Sequence, residues 1–347
     1  MPPNRFAAIA LIAPVAIAVP CACTRGGPGS APAHSAGGAA LAIVSPATAE
    51  ASGQPTSHGP WAADDQRGSV NRITPGRVAA AAGLITHGRI YTLGRAYEPG
   101  MPMFGARHMS LTIPGAPTGG PMGENRIVYH DEMFTGEIGQ IGTQFDALCH
   151  IAIRDEQGED VFYNGLKGSD IRTPYGFTKL GVEQVGAIFC RGVLIDVPRF
   201  KGVEFLEDGH IITAEELQGA QAAQGIEVRE GDAVFIRTAH GRLWMTDNER
   251  YIAGEPGPGL TAVKWLIERK IVLVGADNWG VEAVPGENPD RPFECHEWLI
   301  QRNGIYNLEN LDLETLAADR VWEFAFIFAP VPIKGATGSP GNPIAVR

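Results

Sequence analysis

Cysteine is scarce, with five in 347 residues, and Cys21 and Cys23 lie in what reads as a leader. Without that leader only Cys149, Cys190 and Cys295 remain, an odd number that excludes a disulfide framework and allows at most one bridge. None of the three stands in a CxxC pair, so zinc-ribbon and thioredoxin readings fail. Basic residues are also few. The 28 Lys and Arg against 39 Asp and Glu give a net charge of −11 without any Lys/Arg cluster, which argues against a nucleic-acid partner and leaves a small neutral or cationic substrate open. No periodic repeat accompanies the 44 Gly and 26 Pro, which excludes a solenoid and fits a turn-rich α/β or β-rich enzyme. What is present is 44% hydrophobic residues, enough to bury a full core.

The apolar run from Phe6 to Val19, preceded by Arg5, is too short to span a bilayer comfortably and reads as a signal peptide over residues 1–24. This predicts an exported, periplasmic or extracytoplasmic protein. Cys21 and Cys23 sit where a lipoprotein cysteine would, so the one membrane association in view is an N-terminal lipid anchor, although Pro20 fits the small-residue box poorly. A Gly/Ala/Ser/Pro-rich linker over 25–57 follows, and the globular part occupies 58–347.

Within that part, Thr74-Pro75 reads as an N-cap with proline at the first helical position, opening a helix to Ala82 that Gly83 closes. Thr213-Ala-Glu-Glu216 is a capping box for a helix to Gln224, and Leu260 to Arg269 is a third helix. The runs Gly192–Asp196, Asp232–Arg237 and Ile271–Gly275 read as buried strands. Helix, strand and loop in repetition predict one α/β domain. Its strand-end loops at Asp196, Arg237–Trp244 and Asp277–Glu282 are where such folds place ligands, although ordinary caps and turns explain any one of them as well.

The segment Gln140-Ile-Gly-Thr-Gln144-Phe-Asp146-Ala-Leu-Cys-His150 carries the chemistry. If it is extended, positions 140, 142, 144 and 146 face one way and bring two amides and a carboxylate together. Carboxylate and imidazole suit Zn, Mn or Mg, whereas amide oxygens are weaker donors, so spacing alone leaves the site undecided.

These residues resemble the cyclase family, which includes bacterial kynurenine formamidase and isatin hydrolase and whose signature reads HxGTHxDxPxH. Gly142, Thr143, Asp146 and His150 stand in register, while Gln140 and Gln144 replace two histidines and Leu148 the proline. Trp61–Asn71, Gly192–Asp196, Gly231-Asp232, Gly275–Asp277 and Gly335–Pro340 look like the same family, so the resemblance spans about residues 60–345. It implies a single α/β domain with a mixed β-sheet or barrel-like β core and flanking helices, and a homo-oligomer. It also implies that Asp146, His150, His296 and Glu309 hold one divalent metal ion, Zn or Mn, the other site being lost with its two imidazoles.

The expected activity is hydrolysis of an amide, lactone or cyclic imide bond of a small molecule, with His150 or Glu309 moving the proton. Gln140 and Gln144 are candidate donors to a developing oxyanion, and Arg107 and His130 are candidate substrate contacts. Phe104, Phe134 and Trp279 could supply apolar walls. Two alternatives stay open: a metal-free cyclase, isomerase or dehydratase using Asp146 and His150, and a catalytically silent exported binding protein.

Overall fold

The structure, a computed structural model, describes residues 61–347. The signal-peptide and linker readings lie outside the described residues, apart from the proposed start of the domain close to Trp61. Among the described residues no helix is long and apolar enough to cross a membrane.

Nine strands form one sheet: β1 (Ile90–Thr92), β2 (Gln144–Asp146), β3 (Ile188–Asp196), β4 (Ala233–Arg237), β5 (Leu273–Ala276), β6 (Tyr306–Glu309), β7 (Glu323–Phe328), β8 (Gly338–Pro340) and β9 (Ile344–Val346). Their spatial order is β1-β9-β7-β3-β4-β5-β6-β2-β8. The four central strands, β3 to β6, run parallel, and the flanking ones pair antiparallel, so the sheet is mixed. The expected mixed β-sheet core is what the structure takes, with β1 and β8 as its edges.

The apolar runs read as buried strands are buried along their whole length in β4 and β5. Parallel strands covered on both faces have no reason to alternate with polar residues. The helices fall where their caps place them. Thr74 Oγ1 accepts from the Arg77 amide at the start of α1 (Pro75–Ala82), and the Thr213/Glu216 capping box opens α2 (Ala214–Gln224), closed by Gly225 in the left-handed region. The third helix, α3, runs Leu260–Glu268 and buries Ala262, Val263, Trp265 and Leu266. One continuous cluster joins α2 and α3 to the central strands, and among the described residues no second core of comparable size forms.

Two smaller antiparallel ribbons stand apart from this sheet: Met109–Thr112 with Met133–Gly136, and Gly119–Met122 with Ile127–Tyr129. Together they form an arm that leaves the domain after Met109 and returns just before Gln140.

Candidate metal centre

The motif segment is extended over Gln144–Asp146 alone. Gly142 has φ +60°, and a Cβ there would lie 2.7 Å from the Tyr97 ring, so only glycine makes this turn. The even alternation expected from Gln140 through Asp146 is therefore interrupted. Gln140 still reaches the site, by a turn, with its Nε2 donating to Asp146 Oδ1 at 3.3 Å.

Strand pairing brings the remaining pieces together. In the antiparallel β2–β6 register Gln144 stands opposite Glu309, and its Nε2 donates to Glu309 Oε2 at 2.5 Å. On the other side Gly338 of β8 pairs with Asp146. A side chain at Gly338 would meet the Gly139 carbonyl oxygen at 2.4 Å and Gln140 Nε2 at 2.6 Å. The turn is tied to the end of β6 by Asn310, whose Nδ2 donates to the Gly142 carbonyl (2.7 Å) and whose carbonyl accepts from Thr143 Oγ1 (2.9 Å). Tyr251 donates to Asn310 Oδ1, and Tyr97 to the Thr143 carbonyl.

His296 arrives from a distant segment, a short helix Glu294–His296 continued by a π-helix over Glu297–Arg302. Its Nδ1–H donates to Glu282 Oε1 at 2.6 Å, and the Glu282 carboxylate also accepts the backbone amides of Cys295 and His296. That arrangement turns His296 Nε2 inward, 3.4 Å from Glu309 Oε1 and 3.8 Å from Asp146 Oδ2. One ligand atom from each of Asp146, His296 and Glu309 lies within 4.8 Å of the others, and all three residues are buried. His150 stands beside this triad with Nε2 3.9 Å from Asp146 Oδ1 and its side chain 22% exposed.

The electrostatics follow from burial. Glu309 is pushed up to about 7, first by desolvation and then by the charge of Asp146. Burial opposes the charged form of His296, but hydrogen bonds to Glu282 and Glu309, with their charges, raise it well above the usual imidazole value. His150 is held below the usual range, chiefly by burial. Two buried oxygens at the centre, Asp146 Oδ2 and Gln140 Oε1, have no hydrogen-bond partner. Buried orphan acceptors facing a cluster of carboxylates and one imidazole are what a cation would satisfy, so the donor set fits a divalent ion.

Next to His296 lies an aromatic wall. Phe104 stacks on Trp279 with centroids 4.4 Å apart, Phe293 packs edge-on against both, and Phe293 meets the His296 ring at 5.6 Å. Arg107 lies over Phe104 at 5.7 Å and within electrostatic range of His150 and Glu309. Phe134 packs lower down against the Trp244, Tyr251 and Trp279 cluster. His130 is exposed on the arm, just after the strand Ile127–Tyr129.

Among the strand-end loops the ordinary reading holds for two residues. Asp196 caps the turn after β3 and pairs with Arg237, and Asp277 caps the amides of Thr238 and Ala239. Glu282 is the exception within the marked stretch. Glu255 was not singled out by sequence: it is fully buried, one oxygen accepts the Trp279 amide and the other has no partner. Glu282 was flagged only as part of that strand-end loop, and no local pattern flags Glu255. Cys149, Cys190 and Cys295 are free and buried, and burial pushes the thiols of Cys149 and Cys190 up to about 12, as expected of fillers.

A mixed-sheet α/β domain with a buried carboxylate–imidazole–carboxylate cluster around the ends of β6 and β2 defines the class. The family model for cyclases, described as putative cyclase, matches residues 91–283, and the chain belongs to that family. A solved structure described as a novel cyclase shares 35% identity at a TM-score of 0.73, covering 83% of this chain and 96% of its own. Isatin hydrolase A from Ralstonia solanacearum shares the fold at 22% identity and a TM-score of 0.57, with 79% of this chain and 98% of that one covered. A curated isatin hydrolase from Roseibium aggregatum is 29% identical over 142 residues, 39% of this chain and 52% of that protein. The chain thus spans about half the length of the curated relative it matches.

Proposed function

We propose that the protein is a metal-dependent hydrolase that opens a cyclic amide, imide or related acyl bond next to an aromatic ring. The carrying observation is the buried Asp146, His296 and Glu309 triad, with its partnerless Asp146 oxygen, set beside the Phe104/Trp279/Phe293 wall. The similarity to isatin hydrolases supports the choice of reaction, since isatin is a cyclic amide fused to an aromatic ring.

Asp146, His296 and Glu309 would hold one divalent ion. The chemistry such an ion supplies is Lewis acidity toward a carbonyl oxygen and toward water. His150 stays neutral near pH 7 because burial lowers it, which leaves a ring nitrogen free to take a proton from an attacking water. Glu282 fixes the tautomer and orientation of His296 through the 2.6 Å bond to Nδ1. Gln140 and Gln144 each commit one amide N–H to a triad carboxylate, so a role toward the oxyanion falls to the second N–H of each amide. The aromatic wall, in which Phe104 and Phe293 are exposed, would offer ring faces to an aromatic substrate. Arg107 stands where a carboxylate product would gain a charge partner.

His150 Nε2 and Asp146 Oδ1 stand 3.9 Å apart, beyond a direct hydrogen bond, so a metal-free acid/base pair would act through separate contacts to the substrate. The test is metal analysis of the purified protein together with a panel of isatin, N-formyl arylamines and lactones. Hydrolysis abolished by chelator and restored by Zn or Mn is expected. Activity without stoichiometric metal, and insensitive to chelator, would overturn the proposal.

A further inference from the structure

Glu255 is a buried carboxyl to which the proposed reaction gives no role. Its backbone amide and carbonyl both bond to Val284, at 2.8 and 2.9 Å, which anchors it between the helix Asn248–Ala253 and the loop that follows Trp279. Oε2 accepts the Trp279 amide at 2.7 Å, and Oε1 is buried without a partner. No cation is bonded to either oxygen, and a fully buried carboxylate without one is costly, so the neutral acid is favoured. Burial, reinforced by the charge of Glu309, raises the group well above the ordinary carboxyl value, against the Trp279 and Gly280 amides and the charge of His296. Since Oε2 already accepts a hydrogen bond, the proton falls to Oε1, an O–H donor with no acceptor among the described residues.

The space before that oxygen leads to the aromatic wall. Gly280 has no side chain to fill it: a Cβ there would lie 2.9 Å from Glu255 Oε1, and its next neighbour would be Phe293 Cε1 at 3.9 Å. Trp279, whose amide the other oxygen holds, stacks on Phe104, and its indole Nε1 is likewise buried without a partner. The charges of Glu309 and His296 both act on Glu255, so the carboxyl also stands within reach of the triad. We propose that Glu255 is a specificity contact whose Oε1 donates a hydrogen bond to an acceptor oxygen of the substrate, selecting aromatic compounds that carry a ring carbonyl beside the ring seated on Phe104, Trp279 and Phe293. A polar atom buried for one ligand group discriminates strongly against ligands that lack the group, because it is then left unpaired. A cationic group at this point would need the charged carboxylate, which burial disfavours. The proposal rests on the reading of the aromatic wall as the substrate surface and not on which bond is cleaved.

The test uses 1-indanone and indane, bicyclic aromatics of similar shape that differ in a ring carbonyl and contain no hydrolysable bond. Their affinities for wild type, Glu255→Gln and Glu255→Met are read by ligand-observed NMR. Glu255→Gln keeps an N–H donor and an acceptor for the Trp279 amide, whereas Glu255→Met keeps the volume and loses both. The ratio of 1-indanone to indane affinity should fall about 10-fold in Glu255→Met and stay within about 3-fold of wild type in Glu255→Gln. An equal loss of both probes would make Glu255 a cap for Trp279 alone, and a ratio unchanged in Glu255→Met would remove the contact; either overturns the proposal, as does a wild type that binds neither probe. If Glu255→Met does not fold, the infrared carbonyl stretch of 1-indanone bound to wild type decides: it should lie below its position in hexane, and a band at the hexane position overturns the proposal. Neither probe can be hydrolysed, so a protein that fails the chelator test above still passes or fails this one.

Discussion

Removing the metal should make folding stability fall as pH rises through neutrality, and the structure sets the size of the effect. In the metal-free site Glu309 titrates near 7 because it is buried beside Asp146, and His296 is raised by Glu282 and Glu309. Both native groups hold protons that the unfolded chain has already released. Their stabilisation is therefore fully present below the unfolded values and is lost as pH rises through the folded ones. For Glu309 the rise from 4.5 to about 7 is equivalent to about 3 kcal/mol. Of that, about 2 kcal/mol falls between about pH 5.5 and 8.5. Urea unfolding of chelator-treated wild type and Glu309→Gln at both pH values isolates the contribution, because the variant cannot titrate at that position. The wild type should lose about 2 kcal/mol relative to the variant on going to the higher pH. A divalent ion must displace the same protons, so the stabilisation conferred by added Zn or Mn should grow with pH over this window. A wild-type/variant difference indifferent to pH, or metal protection that grows as pH falls, would refute the reasoning.

Other expectations follow from single contacts. Glu282→Gln weakens the acceptor that orients His296 and should lower metal affinity about 10- to 100-fold by isothermal titration, with folding retained. Gln144→Ala should reduce kcat on an active substrate by about 10-fold or more; unchanged turnover would remove any oxyanion role for that amide. Gln140→His with Gln144→His should raise the metal content measured by elemental analysis from one ion per chain toward two. Phe104→Ala deletes the stack on Trp279 and should raise KM for an aromatic substrate about 2- to 10-fold with kcat little changed.

How much of this was legible in the sequence depended on how far each feature reaches along the chain. The caps at Thr74 and Thr213 and the fully buried strands are local, and they fell where local rules placed them. Gln140, Gln144 and Asp146 were found as a group because they lie within one segment, but their facing was misjudged since Gly142 turns the chain before β2 begins. His296 and Glu309 came only from the family resemblance. They are separated from Asp146 by more than 140 residues and meet it through the antiparallel insertion of β2 beside β6. Nothing in the spacing of Glu282 or Glu255 announces a buried carboxylate, because burial there is created by the packing of several distant loops.

The two glutamines that stand where the family resemblance would put histidines are best understood through the hydrogen bonds that they make. An amide in place of each imidazole loses a strong metal donor and gains N–H groups, and in this structure one N–H from each points to a carboxylate of the triad. Glu309 and Asp146 are thereby held in place by neutral donors in a buried site where two unpaired negative charges would otherwise repel. The two amides would then supply the scaffold that positions two carboxylates around the one imidazole, His296, that completes the triad. On that view the single variant Gln144→Ala should raise the metal-free Glu309 value further, because a donor to its charged carboxylate disappears. Carbon-13 NMR titration of the side-chain carboxyl groups reads this directly, and a Glu309 midpoint unmoved in that variant would show that the Gln144 amide does not set the charge state of Glu309.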